Sequence, residues 1–211
     1  MEMMKEAARG EIRPVRPDDI EALYDIALRT GANGADATAL HNDPKLIGHI
    51  YAAPYALLEP ESAFVVEDEE GVGGYIVGAA DTPAFDARLE AEWWPDLRAI
   101  YAAPSSPPDT WNADEMRCWS IHNPWRTPAR VAEPYPAHLH INLLPRLQGS
   151  GIGRRLMDRW LACMRERGAP GAHLGVGAAN ARGIGFYRAY GFRELERAKP
   201  PLQTIWFGIA L

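Results

Sequence analysis

Two periods of apolar residues divide the chain. EIRPVR over 11–16 alternates weakly and reads as a short edge strand, where Pro14 is tolerated. Ile20, Leu23, Ile26 and Ala27 then recur at helical spacing behind a cap from Asp18 or Asp19, predicting a helix that ends near Thr30 and Gly31. A second helix is expected from Pro44 to about Ala53, with Pro54 and Pro60 breaking up the stretch beyond it. AFVVE over 63–67 and GGYIVGAA over 73–80 give a hairpin. Phe85, Leu89, Trp93, Leu97 and Tyr101 carry a helical stripe that Pro95 should end or kink. AHLHINLL over 137–144 reads as the central strand, with Leu139, Ile141 and Leu143 on one face and His138, His140 and Asn142 on the other. Ile152, Leu156, Trp160, Leu161 and Met164 mark a helix to about Glu166, stopped by Gly168. HLGV over 173–176 is a short strand and 180–190 a helix. The chain closes with strands at 192–195 and 203–209, as a hairpin or an edge pair.

The pattern describes an α/β sheet, antiparallel early and with a β-α-β unit late. Between the halves, at about 82–136, prolines are dense enough to forbid long helices. Trp111, Trp119 and Trp125 in the same segment argue for an ordered insertion folded over the sheet, since disordered linkers are poor in large apolar groups. Residues 1–10 read as a flexible tail and 11–211 as a single domain.

Composition narrows the function classes. The chain has 211 residues, 47% hydrophobic and 24% charged, with a net charge of -6. An acidic chain is a poor general partner for nucleic acid. No stretch approaches the ~20 apolar residues that span a membrane, and MEMMKEAARG is not a signal peptide. Cys118 and Cys163 alone make neither a disulfide framework nor a structural zinc site, so a cytoplasmic location and no metal are expected.

The chemistry gathers where the central strand stops. Gln148, Gly149, Ser150, Gly151, Ile152 and Gly153 place glycines at alternate positions at a helix entrance. Glycine removes the Cβ atoms that keep a phosphate away, and first-turn N–H groups donate to anions. Arg146, Arg154 and Arg155 add positive charge. The run is not a Walker loop, because no Lys-Ser/Thr comes after the glycines, and it breaks the dinucleotide fingerprint at Arg154, which disfavours a nucleotide-binding oxidoreductase. Further on, Asn180 can cap a helix that carries Tyr187 about two turns later on nearly the same face. Asp81, at a strand end before Pro83, is either a helix cap or a pocket acid. His138 and His140 are either proton acceptors or hydrogen-bonded structural groups in a buried polar row.

These stretches together resemble the GNAT superfamily of N-acetyltransferases. Gln148, Gly151 and Gly153 match its Q/R-x-x-G-x-G/A signature, and Asn180, Phe186, Tyr187, Gly191 and Phe192 match its later one. Pro54 and Tyr55, Gly78 to Asp81, Tyr135 to Pro145, Gln148 to Leu156 and His173 to Val176 are similar to the acetyltransferase-like C-terminal domain of O-GlcNAcase and its free-standing bacterial relatives. The resemblance implies a GNAT fold: a mixed, mostly antiparallel sheet of six to seven strands with a central splay and flanking helices. It implies acetyl-CoA as cofactor, with the backbone at Leu143 and Leu144 holding the pantetheine arm, Leu147 to Arg154 (Ser150 and Ile152 included) cradling the pyrophosphate, and Asn180 and Phe186 beside the cofactor arm. The implied reaction is direct attack of a primary amine, from a small molecule or a protein lysine, in a ternary complex. The alternative is a CoA-binding pseudo-acetyltransferase domain with a regulatory or protein-interaction role.

Within that frame Tyr187, whose phenol is protonated at neutral pH, suits protonation of the leaving thiolate. The glutamate that some relatives carry near the start of the central strand is missing, and where the O-GlcNAcase-like group is expected to have an acid this chain has Asn142. The base is then His138, His140 or Asp81. Asn142, Asp81, Trp111, Asp114, His122 and Trp125 are the candidate walls of the acceptor site, an acid there suiting a cationic amine. The last strand, with Ile205, Trp206 and Phe207, is a candidate edge for a homodimer contact.

Overall fold

The computed structural model describes residues 10–198 and 203–211. The stretch expected as a tail therefore lies, Gly10 apart, outside the described residues. β1 (Glu11–Pro14) leads into helix α1 (Ile20–Arg29), and two short helices, α2 (Leu46–Tyr51) and α3 (Ala53–Leu58), precede the hairpin β2 (Phe64–Asp68) and β3 (Gly71–Ala79). The Pro/Trp-rich segment holds α4 (Thr82–Glu92), α5 (Trp94–Ile100), α6 (Ala113–His122) and α7 (Ala129–Ala132). β4 (Ala137–Leu143), α8 (Ile152–Glu166), β5 (Gly171–Gly177) and α9 (Ala181–Tyr190) form the β-α-β part, and β6 (Arg193–Arg197) and β7 (Thr204–Ala210) close the chain. The expected mixed, mostly antiparallel sheet is present, with seven strands in the order β1-β2-β3-β4-β5-β7-β6.

Three local expectations are corrected. The helix expected from 44 to 53 is two helices that meet at Ala52, and Pro54 opens the second instead of breaking the chain, since proline fits a first turn. Asp19 does not cap α1. Its buried carboxylate takes two bonds from Arg13, at 2.6 and 2.9 Å, and one from Arg16 N at 2.7 Å. The last strand is not an edge. β7 pairs with both β5 and β6, and the outer place goes to β6, whose RELER sequence suits a solvated edge while Ile205 and Phe207 of β7 are buried.

The sheet separates two cores. On one face Leu23 and Ile26 of α1 pack with Tyr75, Val77, Phe85 and Leu89. On the other, Leu156, Met157 and Trp160 of α8 pack with Ile76, Leu139 and Phe207. β4 is sandwiched between these layers, so its polar row of His138, His140 and Asn142 is held on the α1 side, opposite Ala79, Val77 and Tyr75 of β3.

The site is positioned by what the sheet fails to do. β4 and β5 run parallel but pair only at Ala137 with Ala172 and His138 with His173. β4 continues beside β3 to Leu143, and β5 beside β7 to Gly177. The two strands therefore splay, and a wedge opens between them in mid-sheet.

Candidate active site

A cavity of about 790 Å³ fills the splay. At one end stands the glycine turn. Gly149 (φ 75°) and Gly151 (φ 84°) take left-handed backbone, which a side chain resists, and a Cβ at either would meet only open space. Among the described residues the amides of residues 149–154 make no backbone hydrogen bond; the first satisfied one is Arg155 N, on Gly151 O at 3.2 Å. A run of free donors at the start of a 15-residue helix, under uncovered glycines, fits a pyrophosphate. Gln148 fixes the turn by donating from Nε2 to Leu143 O at 2.6 Å and accepting from Arg182, which also reaches Gly34 O at 3.2 Å. Of the three arginines expected here only Arg154 lines the cavity. Arg146 is turned to Asp68, at 3.0 Å, and Arg155 to Gly10 O, at 3.3 Å. Arg182 is the cation that sequence reasoning passed over.

Along the wedge the structure brings together Leu143, Gln148, Gly149, Gly151, Gly153, Asn180, Phe186 and Tyr187. Asn180 caps α9, accepting from Gly183 N at 2.8 Å. Tyr187 stands against Phe186, Phe192 and Phe207, and burial pushes its phenol pKa above the ordinary value. Its hydroxyl has no hydrogen-bond partner among the described residues. Leu144, Leu147 and Ile152 are buried away from the cavity, and Ser150 bonds back to Leu147 O at 2.8 Å.

The polar row of β4 also lines the cavity, and its hydrogen bonds fix the tautomers. Thr82 Oγ1 donates to Pro136 O at 2.7 Å and lies 2.8 Å from His138 Nδ1. The hydroxyl has one proton and the carbonyl can only accept, so His138 donates from Nδ1. His138 Nε2 then accepts from the Tyr55 hydroxyl at 3.0 Å. That uses the Tyr55 proton, so His140 Nε2, at 3.1 Å, donates to the same oxygen. His140 is left with a bare Nδ1 that no described residue bonds. His173 stacks on His138 with ring centres 5.7 Å apart; its Nδ1 donates to Tyr135 O at 2.5 Å, and Nε2 accepts from Thr127 at 3.2 Å. Burial, first, and the neighbouring imidazoles lower the pKa of His138 far below the usual value and that of His140 to about 4. Both are neutral at pH 7. Asn142 donates to Thr30, which ties it to the end of α1.

Other candidates stand apart. Asp81 is exposed and caps α4, accepting from Ala84 N at 2.9 Å. Asp114 is engaged by His41 at 2.7 Å and Asn42 N at 2.9 Å, Trp111 by Ser106 O at 2.9 Å, and His122 by Tyr101 O at 2.7 Å. None of these four lines the cavity, whereas Trp125 does. Tyr55, Thr82 and His173 were missed as site residues. Tyr55 belongs to the Pro54–Tyr55 segment that carries part of the O-GlcNAcase resemblance, but nothing local ties it to a strand 83 residues away. Among the described residues no group of three or more His, Cys, Asp or Glu side chains is placed to hold a metal, and no helix is long and apolar enough to cross a membrane.

A model of the acetyltransferase (GNAT) domain matches residues 118–194. The crystal structure of SsHAT superimposes with a TM-score of 0.87 and 41% identity, covering 96% of this chain and 98% of that one. The protein O-GlcNAcases of Rattus norvegicus and Mus musculus are each 24% identical over 187 residues, 88% of this chain. The chain spans only about a fifth of the length of those curated relatives, 20% in each case. At the level of fold alone, yncA from Salmonella typhimurium, solved with its cofactor acetyl-CoA, aligns with a TM-score of 0.53 at 15% identity, over 96% of this chain and 94% of that one.

Proposed function

The chain belongs to the GNAT acetyltransferase family, and from that premise we propose that it transfers the acetyl group of acetyl-CoA to a primary amine by direct attack, both substrates sharing the cavity between β4 and β5. The observation that carries this reading is the splay itself. Two rungs of parallel pairing give way to a wedge with free amides at one end and a bare imidazole nitrogen farther along its wall. Bound there, acetyl-CoA supplies a thioester whose acyl carbon accepts the amine while the C–S bond breaks. Residues 149–154 donate to the pyrophosphate. The unpaired edges of β4 and β5 offer backbone groups to the pantetheine arm. His140 Nδ1 takes the proton that the nitrogen sheds as the C–N bond forms, and the Tyr187 hydroxyl gives its own to the departing sulfur. His138, with both nitrogens engaged, holds Tyr55 and through it the His140 ring. The acetyltransferase (GNAT) domain matched over residues 118–194, with the bare nitrogen of His140 and the Tyr187 hydroxyl on one cavity wall, supports turnover over a domain that merely binds CoA.

Calorimetric titration with acetyl-CoA tests the cradle. Gly149→Asp keeps the fold, because aspartate tolerates left-handed backbone and the Cβ meets open space. It sets a carboxylate beside the pyrophosphate and should weaken binding at least about tenfold, since like charges even about 8 Å apart cost ~2 kcal/mol at an effective dielectric of about 20. Gly149→Asn, which adds the same bulk without the charge, should weaken binding less than Gly149→Asp does. Equal affinities for parent and Gly149→Asp would remove the cradle from the proposal.

A further inference from the structure

The acceptor half of the cavity has an unbalanced wall. Asp86 and Glu90 on α4 line it, and two arginines answer them. Arg98 is bonded to Glu90 at 2.9 and 3.2 Å, and Arg126 lies 3.6 Å from Asp86 and 3.8 Å from Glu90. Two carboxylates against two guanidinium groups leave no net charge. Arg117 is the cation left over. It projects from α6, which a capping box between Asn112 and Glu115 fixes at its start, and it lines the same cavity. No carboxylate of the described residues pairs with it, Asp114 one turn earlier being held by His41 and Asn42. Its contacts are the Tyr51 hydroxyl at 3.3 Å and the Tyr51 ring, 5.5 Å below the guanidinium. Its Nε is buried and is the one such side-chain atom among the described residues with no hydrogen-bond partner. The Tyr51 ring in turn stands edge-on to His140, centres 5.4 Å apart. One aromatic ring therefore separates an uncommitted guanidinium from the imidazole with the bare nitrogen.

We propose that Arg117 anchors the acceptor, and that the acceptor is an amine that also carries an oxyanion, a carboxylate or a phosphate. The inference rests on the acetyl-transfer reading above for the role of the amine, but the anion site is testable without turnover. A guanidinium presents a planar fork of donors that matches such oxygens two at a time, and an unpaired one in a partly dry wall gains most from them. With Arg117 holding the anion, the amine lies across Tyr51 toward His140 Nδ1. The position was invisible as a motif because Arg117, Tyr51 and His140 come from three separate elements.

The test is nuclear magnetic resonance of the protein loaded with CoA, which fills the glycine turn, reading the Nε–Hε signal of Arg117. Phosphoethanolamine and β-alanine distinguish phosphate from carboxylate, and ethanolamine lacks both. At least one of the first two should shift the signal saturably while ethanolamine leaves it in place. Calorimetry with the better probe should show at least about a tenfold loss in Arg117→Gln, in line with a charge-assisted bond, and a smaller loss in Arg126→Gln, whose guanidinium faces carboxylates already and acts on the anion only through the charge of the wall. An Arg117 signal unmoved by both anionic probes, or binding equal in parent and Arg117→Gln, overturns the anchor. Failure of the protein to bind CoA would instead sink the acetyl-transfer reading, and the Arg117 signal, read without CoA, would still decide the anion site.

Discussion

His138 and His140 lie two residues apart on one strand face, yet only one has a nitrogen to offer. The Thr82 and Tyr55 protons settle which. His140→Gln should lower kcat by about 10²-fold or more while leaving acetyl-CoA affinity in place, as loss of a general base does. Tyr187→Phe should do the same from the leaving-group side; steady-state kinetics beside calorimetry separate both from binding defects. Tyr55 is a positioning residue. Tyr55→Phe removes the oxygen that both imidazoles share, so the acid limb of the kcat/KM profile should move while the acetyl-CoA Kd stays put. A Tyr55→Phe enzyme with an unmoved profile would detach Tyr55 from the His140 base. Periodicity made the polar row legible, because side chains alternate on a strand. It said nothing of tautomers, which depend on Thr82 and Tyr55, 56 and 83 residues away from His138.

At the scale of elements, the splay is the functional event and close packing maintains it. Gly78 lets β3 approach β4: a Cβ there would sit 2.1 Å from His138 O and 2.5 Å from the Trp160 ring of α8. Gly78→Ala should therefore cost about 1–3 kcal/mol in denaturant unfolding, because neither backbone nor a core tryptophan can yield cheaply. A stability equal to the parent would mean that the two layers are less tightly set than the geometry requires. The hairpin, α8 and α9 were legible from local signals: alternation for the first, an apolar stripe with Gly168 for the second, the Asn180 cap for the third. The order of the last two strands was not. Their sequences state that β6 is polar and β7 apolar, but which one meets β5 is decided by an edge built well before either of them in the chain.

Across the whole molecule, acid should unfold the protein in two stages. His138 and His173 are buried and His140 is half-buried, all neutral with lowered pKa values. Between the unfolded value near 6.5 and the folded values, about 4 for His140, the unfolded chain binds more protons, so stability falls as pH falls through that window. Asp19 acts lower down. Its pKa is depressed chiefly by the Arg13 hydrogen bonds, so its contribution is complete above the unfolded value near 4 and is lost as pH drops toward the folded one. Thermal unfolding from pH 8 to 3 should show both falls, and Asp19→Asn should be destabilised at neutral pH with a shallower lower fall, since Asp68 and Glu90 are depressed too. A flat profile from pH 7 to 5 would contradict the neutral histidine cluster.

By itself the sequence determined most of the elements outside the Pro/Trp-rich segment, the glycine turn with its capped partner helix, and the family those two stretches signal. All of these rest on interactions within a few residues or on the alternation of one strand, so spacing records them. Only the tertiary structure decided the rest. It turned Arg146 and Arg155 away from the turn, to Asp68 and Gly10. It also brought Tyr55, His173, Arg182 and Arg117 to the wedge. Each of those outcomes depends on which distant group reaches a side chain first, and a hydrogen bond or ion pair between remote parts of the chain leaves no periodic trace in the sequence that makes it.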